Sequence, residues 1–159
     1  MNQLIMVDME IEKKFARSIV DMDFKLLANL LDEAGEFNIQ DEKLETIDVN
    51  KAQFLQWIIS KRKEVNKLDF YFDQYLHCSI GNPVVMFNDG NFPREIYTSG
   101  EKNKTGLMLN VKGEKIDIVK FCYTLLNTEN KYQFEINAGI IDEYLGRHSK
   151  SCSREEYYQ

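Results

Sequence analysis

Cysteine is scarce in this 159-residue chain. Cys78, Cys122 and Cys152 are odd in number, lie far apart and form no CxxC pair. That excludes a disulfide framework and a zinc knuckle, and it fits a reducing cytoplasm. An excess of base is also missing: 20 Lys and Arg against 26 Asp and Glu leave a net charge of −6. Nucleic acid is therefore not the expected partner, since phosphate backbones need a basic face. No apolar run approaches the ~18 residues of a membrane span. The start, MNQLIMVDMEIEKK, has no basic flank and reads as no signal peptide. Neither GxGxxG nor GxxxxGK occurs, so a phosphate cradle is not expected; no cofactor and no metal is called for.

What is present is ordinary globular composition, with 43% hydrophobic and 29% charged residues. A chain of this length buries roughly 70% of its unfolded surface without a staple. One domain over 1–159 is expected, with a core of about 8–136 and a C-terminal extension, 137–159, that frays. The first half has helical rhythm. Ile11, Phe15, Ile19 and Met22 recur on one helix face, with Asp8 as cap. Asp23 starts a second, short helix carrying Phe24, Leu27, Leu30 and Leu31, ended by Gly35. Glu36 to Gln40 alternates as a half-buried strand does, and DEKLETID reads as an exposed loop. Asn50 and Gln53 fit a capping box, with Val49 and Phe54 as the staple. The helix they open ends in Lys61-Arg62-Lys63, cations at its negative pole.

From Leu68 onward the rhythm becomes β. Residues 68–77 fit period two and also a helical stripe of Val65, Leu68, Phe72 and Leu76; the crowded aromatics favour a strand. SIGNPVVMFNDGNFPRE holds both prolines of the chain. It reads as a strand at Val84–Phe87, a hairpin turn at Asp89-Gly90, and an edge strand limited by Pro93. Leu107, Leu109 and Val111 share a face of the next strand, and Gly113 marks a turn. Ile116, Ile118, Lys120 and Cys122 then oppose Val119, Phe121 and Tyr123, and Tyr132, Phe134 and Ile136 make a last strand.

The order of elements and the wording DMDFKLLANLLDEAGEFNI and KAQFLQWIISKRK resemble the nuclear-transport-factor-2-like (SnoaL-like, cystatin-like) superfamily. The resemblance covers about residues 8–136. It implies an α+β fold: N-terminal helices packed in a strongly curved antiparallel sheet, a cone-shaped barrel with an apolar pocket between the layers. Members include a ketosteroid isomerase, dehydratases, epoxide hydrolases, ligand binders without catalysis and transport adaptors. Many are dimers through the sheet, so a homodimer is implied. One fold with so many uses does not supply the function. The isomerase places a carboxylate base near the end of its first strand. The comparable position here is Asn38, whose amide has no useful basicity; Asp41 lies close enough to take the place.

Candidate chemistry follows. Asp73, Tyr75 and His77 alternate on the proposed strand and form an acid/base set in which a tyrosine donates to an oxyanion and a histidine moves protons. On a strand, Asp73 and His77 stand ~13 Å apart; on a helix they meet. Trp57, Tyr71, Phe121, Tyr123 and Asn38 are the expected pocket lining. Cys78 and Cys122 read as small buried groups. The leading expectation is a binder of a small hydrophobic or amphipathic molecule. An acid/base enzyme of isomerase, dehydratase or hydrolase type and a dimeric interaction module are the alternatives. An open cleft of a few hundred Å³ favours the first two, and a filled core with a large exposed apolar patch favours the third.

Overall fold

The protein is described here by a computed structural model, for residues 9–89, 92–95, 103–126 and 132–136. Helix α1 spans Glu10–Val20, with Phe15, Ala16 and Ile19 buried. Asp8 lies outside the described residues, and Met9 holds the N-cap position without a side-chain bond. Met22 is not on the helix face. It sits beyond the last turn at φ 60, in the tight reversal that starts helix α2, Phe24–Leu30. Asp23 caps α2 as expected, accepting from the Leu26 N–H at 3.2 Å.

Strand β1, Leu31–Gln40, begins earlier than the alternation from Glu36 suggests. Gly35 therefore does not end a helix; it lies inside the strand. A Cβ there would stand 2.6 Å from the Phe37 ring and 2.8 Å from the Asp117 carbonyl, so the position needs glycine for close approach. The stretch expected as loop contains strand β2, Thr46–Val49, which pairs antiparallel with β1. Helix α3, Lys51–Lys63, opens on the full capping box: Asn50 accepts from the Gln53 N–H and Gln53 from the Asn50 N–H. Its basic end has a second task. The Arg62 guanidinium is buried and donates to the carbonyls of Ile19, Val20 and Val65. It thus satisfies the orphan C-terminal carbonyls of α1.

Residues 68–77 are neither one strand nor an extension of α3. Strand β3 is only Phe70–Phe72. Asp73 then caps a two-turn helix α4, Gln74–Ile80, accepting from the Leu76 N–H at 2.9 Å, and Gly81 ends it at φ 90. The helix wins because its capped start and left-handed stop outweigh the β preference of three aromatics. Strands β4 (Val84–Phe87), β5 (Asn103–Lys112), β6 (Lys115–Leu126) and β7 (Tyr132–Ile136) follow. Pro93 lies in a turn rather than an edge strand. Gly90 of the expected hairpin and the tail 137–159 lie outside the described residues.

The sheet runs β2-β1-β6-β5-β4-β3, with β7 also on β6. Every pair is antiparallel except β1 with β6, which is parallel. This is the α+β class, with N-terminal helices laid on a largely antiparallel sheet, that the resemblance implies. Two register shifts, in β1–β6 and in β5–β6, bend it. The second leaves Asp117 as the extra residue, so Ile116 turns to the helix side although Ile118 faces away.

The helix-facing side carries the main core. Phe15, Ile19, Leu27, Phe37, Phe54 and Phe121 are among its fully buried side chains. The other side carries Leu76 and Ile80 of α4 over Val84, Met86, Met108 and Cys122. Cys78 is buried, at 5% exposure, as expected.

Candidate functional site

The expected acid/base set lies on and beside α4. Asp73 is its N-cap, with one carboxylate oxygen occupied by the Leu76 N–H. His77 stands one turn on, its backbone N–H bonded to the Asp73 carbonyl at 3.0 Å. Burial lowers the His77 pKa from 6.5 to about 4. At neutral pH it is an uncharged imidazole and a weak base, poorly matched to proton abstraction. The side chain of Tyr75 lies outside the described residues. Cys122 is a free, fully buried thiol. Burial first, and the Asp73 charge second, push its pKa up, so it is no nucleophile.

The expected pocket lining divides between the two sides of the sheet. Tyr71 is exposed and pairs with Met86 on the side away from the helices. Asn38 also faces away and is fully buried. Its carbonyl oxygen accepts from the Phe121 N–H at 3.0 Å, and its amide donates to Asp48 at 2.5 Å. The same carboxylate takes Lys120 Nζ at 2.5 Å, and Lys120 is buried at 4% exposure. Buried Asn38 and Lys120 are thus both satisfied by Asp48, whose carboxylate stands at the exposed rim, and Lys120 also lies 3.9 Å from the exposed Glu36 carboxylate. Tyr123 pairs through its backbone with Thr105 and Glu135; its side chain is outside the described residues.

Trp57 and Phe121 do come together on the helix side. A ladder of rings runs from Phe37 to Phe54 (centroids 5.2 Å), Trp57 (6.5 Å) and Phe121 (5.7 Å). The first two and the last are fully buried, and Trp57 is half-buried. The ladder fills the space between α3 and the sheet and presents the indole at its open end.

Two adjoining clefts meet at that indole. One, of about 490 Å³, is lined by Ile39, Gln40, Asp41, Glu42, Lys43, Glu45 and Trp57. The other, of about 420 Å³, shares Gln40, Asp41, Glu42 and Trp57 and adds Leu44, Ser60, Lys61 and Glu95. Their walls are held firmly. Asp41 accepts from the N–H groups of Lys43 and Glu45, each at 2.9 Å, which shapes the β1–β2 turn. Gln40, nearly buried, donates to the carbonyls of Leu44 and Glu95 and accepts from the Glu95 N–H. Lys61 pairs with Glu95 at 2.8 Å. Sequence reasoning named Trp57 and Asp41 but not Gln40 and Glu95, which are 55 positions apart and meet only through the fold. Among the described residues no group of three or more His, Cys, Asp or Glu side chains could hold a metal ion.

No family model and no curated protein matches the chain. Among solved structures it is similar to a protein from Kribbella flavida DSM 17836 described as a "putative ketosteroid isomerase". The two share 12% identity over 70% of this chain and 73% of that one, at a TM-score of 0.41. Nothing about this chain's activity follows from a likeness at that level.

Proposed function

We propose that the chain is a single small-molecule-binding domain that seats an amphipathic ligand against Trp57, without catalysis by the α4 residues. The observation that carries this reading is the half-buried indole shared by two adjoining clefts of about 490 and 420 Å³. Clefts of that size suit small organic ligands, and an aromatic floor with a few fixed polar groups is the usual arrangement. Trp57 and Ile39 offer the apolar floor. Gln40 and Asp41, held by backbone hydrogen bonds, offer orienting groups at little further cost in order. The rim carries Asp41, Glu42 and Glu45 against Lys43 and Lys61, so an uncharged or cationic amphiphile suits it better than an anion. The acid/base alternative is weaker because His77 has little basicity and Asp73 is engaged as a cap. The interaction-module alternative is weaker because the exposed large apolar residues among those described, Met22, Ile47 and Tyr71, are scattered along the chain.

Trp57 is the sole tryptophan, so its emission reports this cleft alone. Titration with the uncharged probe N-phenyl-1-naphthylamine is expected to quench the indole saturably. Followed through the probe's own emission, Trp57→Ala is expected to weaken binding about tenfold, equivalent to about 1.4 kcal/mol, with an unchanged circular dichroism spectrum. Equal affinity in wild type and Trp57→Ala overturns the proposal.

A further inference from the structure

A second groove lies at the other end of the helix layer. Its floor is Leu26 of α2 with Phe70 and Phe72 of β3, all half-buried, and its volume is about 440 Å³. Phe70 and Phe72 alternate with exposed Tyr71, so both rings face the helices, and they meet edge to face at 5.8 Å. Their strand ends the sheet, where the helix layer leaves them partly open. The wall is the polar face of α1: Lys13, Lys14 and Arg17. The Arg17 guanidinium lies over the Phe70 ring, 4.9 Å from its centroid, as a cation does on an aromatic face.

The charge of this wall is unusual for the chain. The molecule carries −6 overall, yet three cations converge here, and none of them forms an ion pair among the described residues. Lys51 and Lys61, whose side chains are largely buried, do pair, with Glu33 and Glu95, each at 2.8 Å. Cations lining an apolar floor are complementary to a molecule with an apolar chain and an anionic head. We infer that this groove is a second binding site, for a free single-chain amphipathic carboxylate. Its chain lies on Phe70, Phe72 and Leu26, and its head meets Arg17 and the two lysines. Arg17 is suited to the head because its planar guanidinium takes a carboxylate in a two-pronged bond. The site is opposite in sign to the rim around Trp57, so the two sites sort ligands by charge.

The test is isothermal titration calorimetry of the full chain with dodecanoate below its micelle concentration, with dodecyltrimethylammonium as the matched cation. One saturable dodecanoate site is expected, weakening as salt is added. It should weaken at least about tenfold in the double variant Lys13→Glu/Arg17→Glu, whose positions are exposed. Binding should be unchanged in Trp57→Ala, which separates this site from the first. Lys14→Gln is a milder second variant, expected to weaken binding about two- to fivefold by loss of one charge, within the range of an exposed pair. Three outcomes overturn the inference: equal binding of the two amphiphiles by the Trp57→Ala protein, whose first site no longer takes the cation, an unaltered dodecanoate isotherm in the charge-reversed protein, or loss of dodecanoate binding in Trp57→Ala. Sedimentation with anionic vesicles in the absence of any dodecanoate affinity also overturns it, by showing a membrane-surface patch instead.

Discussion

The two sides of the sheet are built on different terms. The helix side is a cluster of eighteen buried apolar residues under three helices, continuous enough to dominate stability. Among the described residues the other side has six, under the two turns of α4. Beside them, buried Asn38 and Lys120 both bond to the exposed carboxylate of Asp48. Apolar packing is tolerant of conditions, whereas an ion pair with one partner in solvent is screened by water and salt. The helix side therefore supplies the rigid wall that a binding cleft needs. The other side holds His77 on α4, whose contribution changes with protonation.

That contrast can be broken by mutation. Phe54→Ala removes the middle of the ring ladder and is expected to destabilise by about 3–5 kcal/mol, whereas Leu76→Ala under α4 is expected to lose about 2 kcal/mol. Urea denaturation of both variants measures the gap. Equal losses would show that the two clusters are one core.

Acid sharpens it next. The pKa of His77 is about 4 in the folded state against an ordinary 6.5, so the unfolded chain takes the proton first. Its contribution is complete above pH 6.5 and is lost as pH falls through about 4, on the order of 2 kcal/mol after allowance for partial exposure. The melting temperature of wild type is expected to fall more steeply across that window than that of His77→Gln. Parallel profiles would remove the histidine from the account.

The smallest effect belongs to the helix side again. Asn50→Ala deletes the side-chain half of the capping box and is expected to cost about 1 kcal/mol. Because α3 carries Trp57, the emission maximum should stay in place if the helix keeps its packing, and a shift would show that the cap also positions the indole.

Much of this architecture was legible in the sequence, and the reasons differ by residue. The Asn50 box is local, so four consecutive residues suffice to read it. The alternation in β5 and β6 is local too, apart from the face switch at Ile116, which depends on a bulge at Asp117 that no periodicity signals. Helix α4 escaped because seven residues are too short for a helical period to outweigh the aromatic run before them. The conformational freedom of Gly35 suggests a helix stop, while its real constraint is the approach of Phe37 and Asp117. At the candidate site, Trp57 stood out as a large aromatic on a well-defined helix. Gln40 and Glu95, or Arg17 and Phe70, could not be joined, since only the tertiary fold brings such distant positions together.

The Arg62 guanidinium bears on how the molecule opens. It holds the last carbonyls of α1 and that of Val65 at once, so neither helix can fray there without leaving a buried cation and several carbonyls bare. Amide protons near the ends of α1 and α3 should accordingly exchange with deuterium at one common rate, as a single cooperative unit.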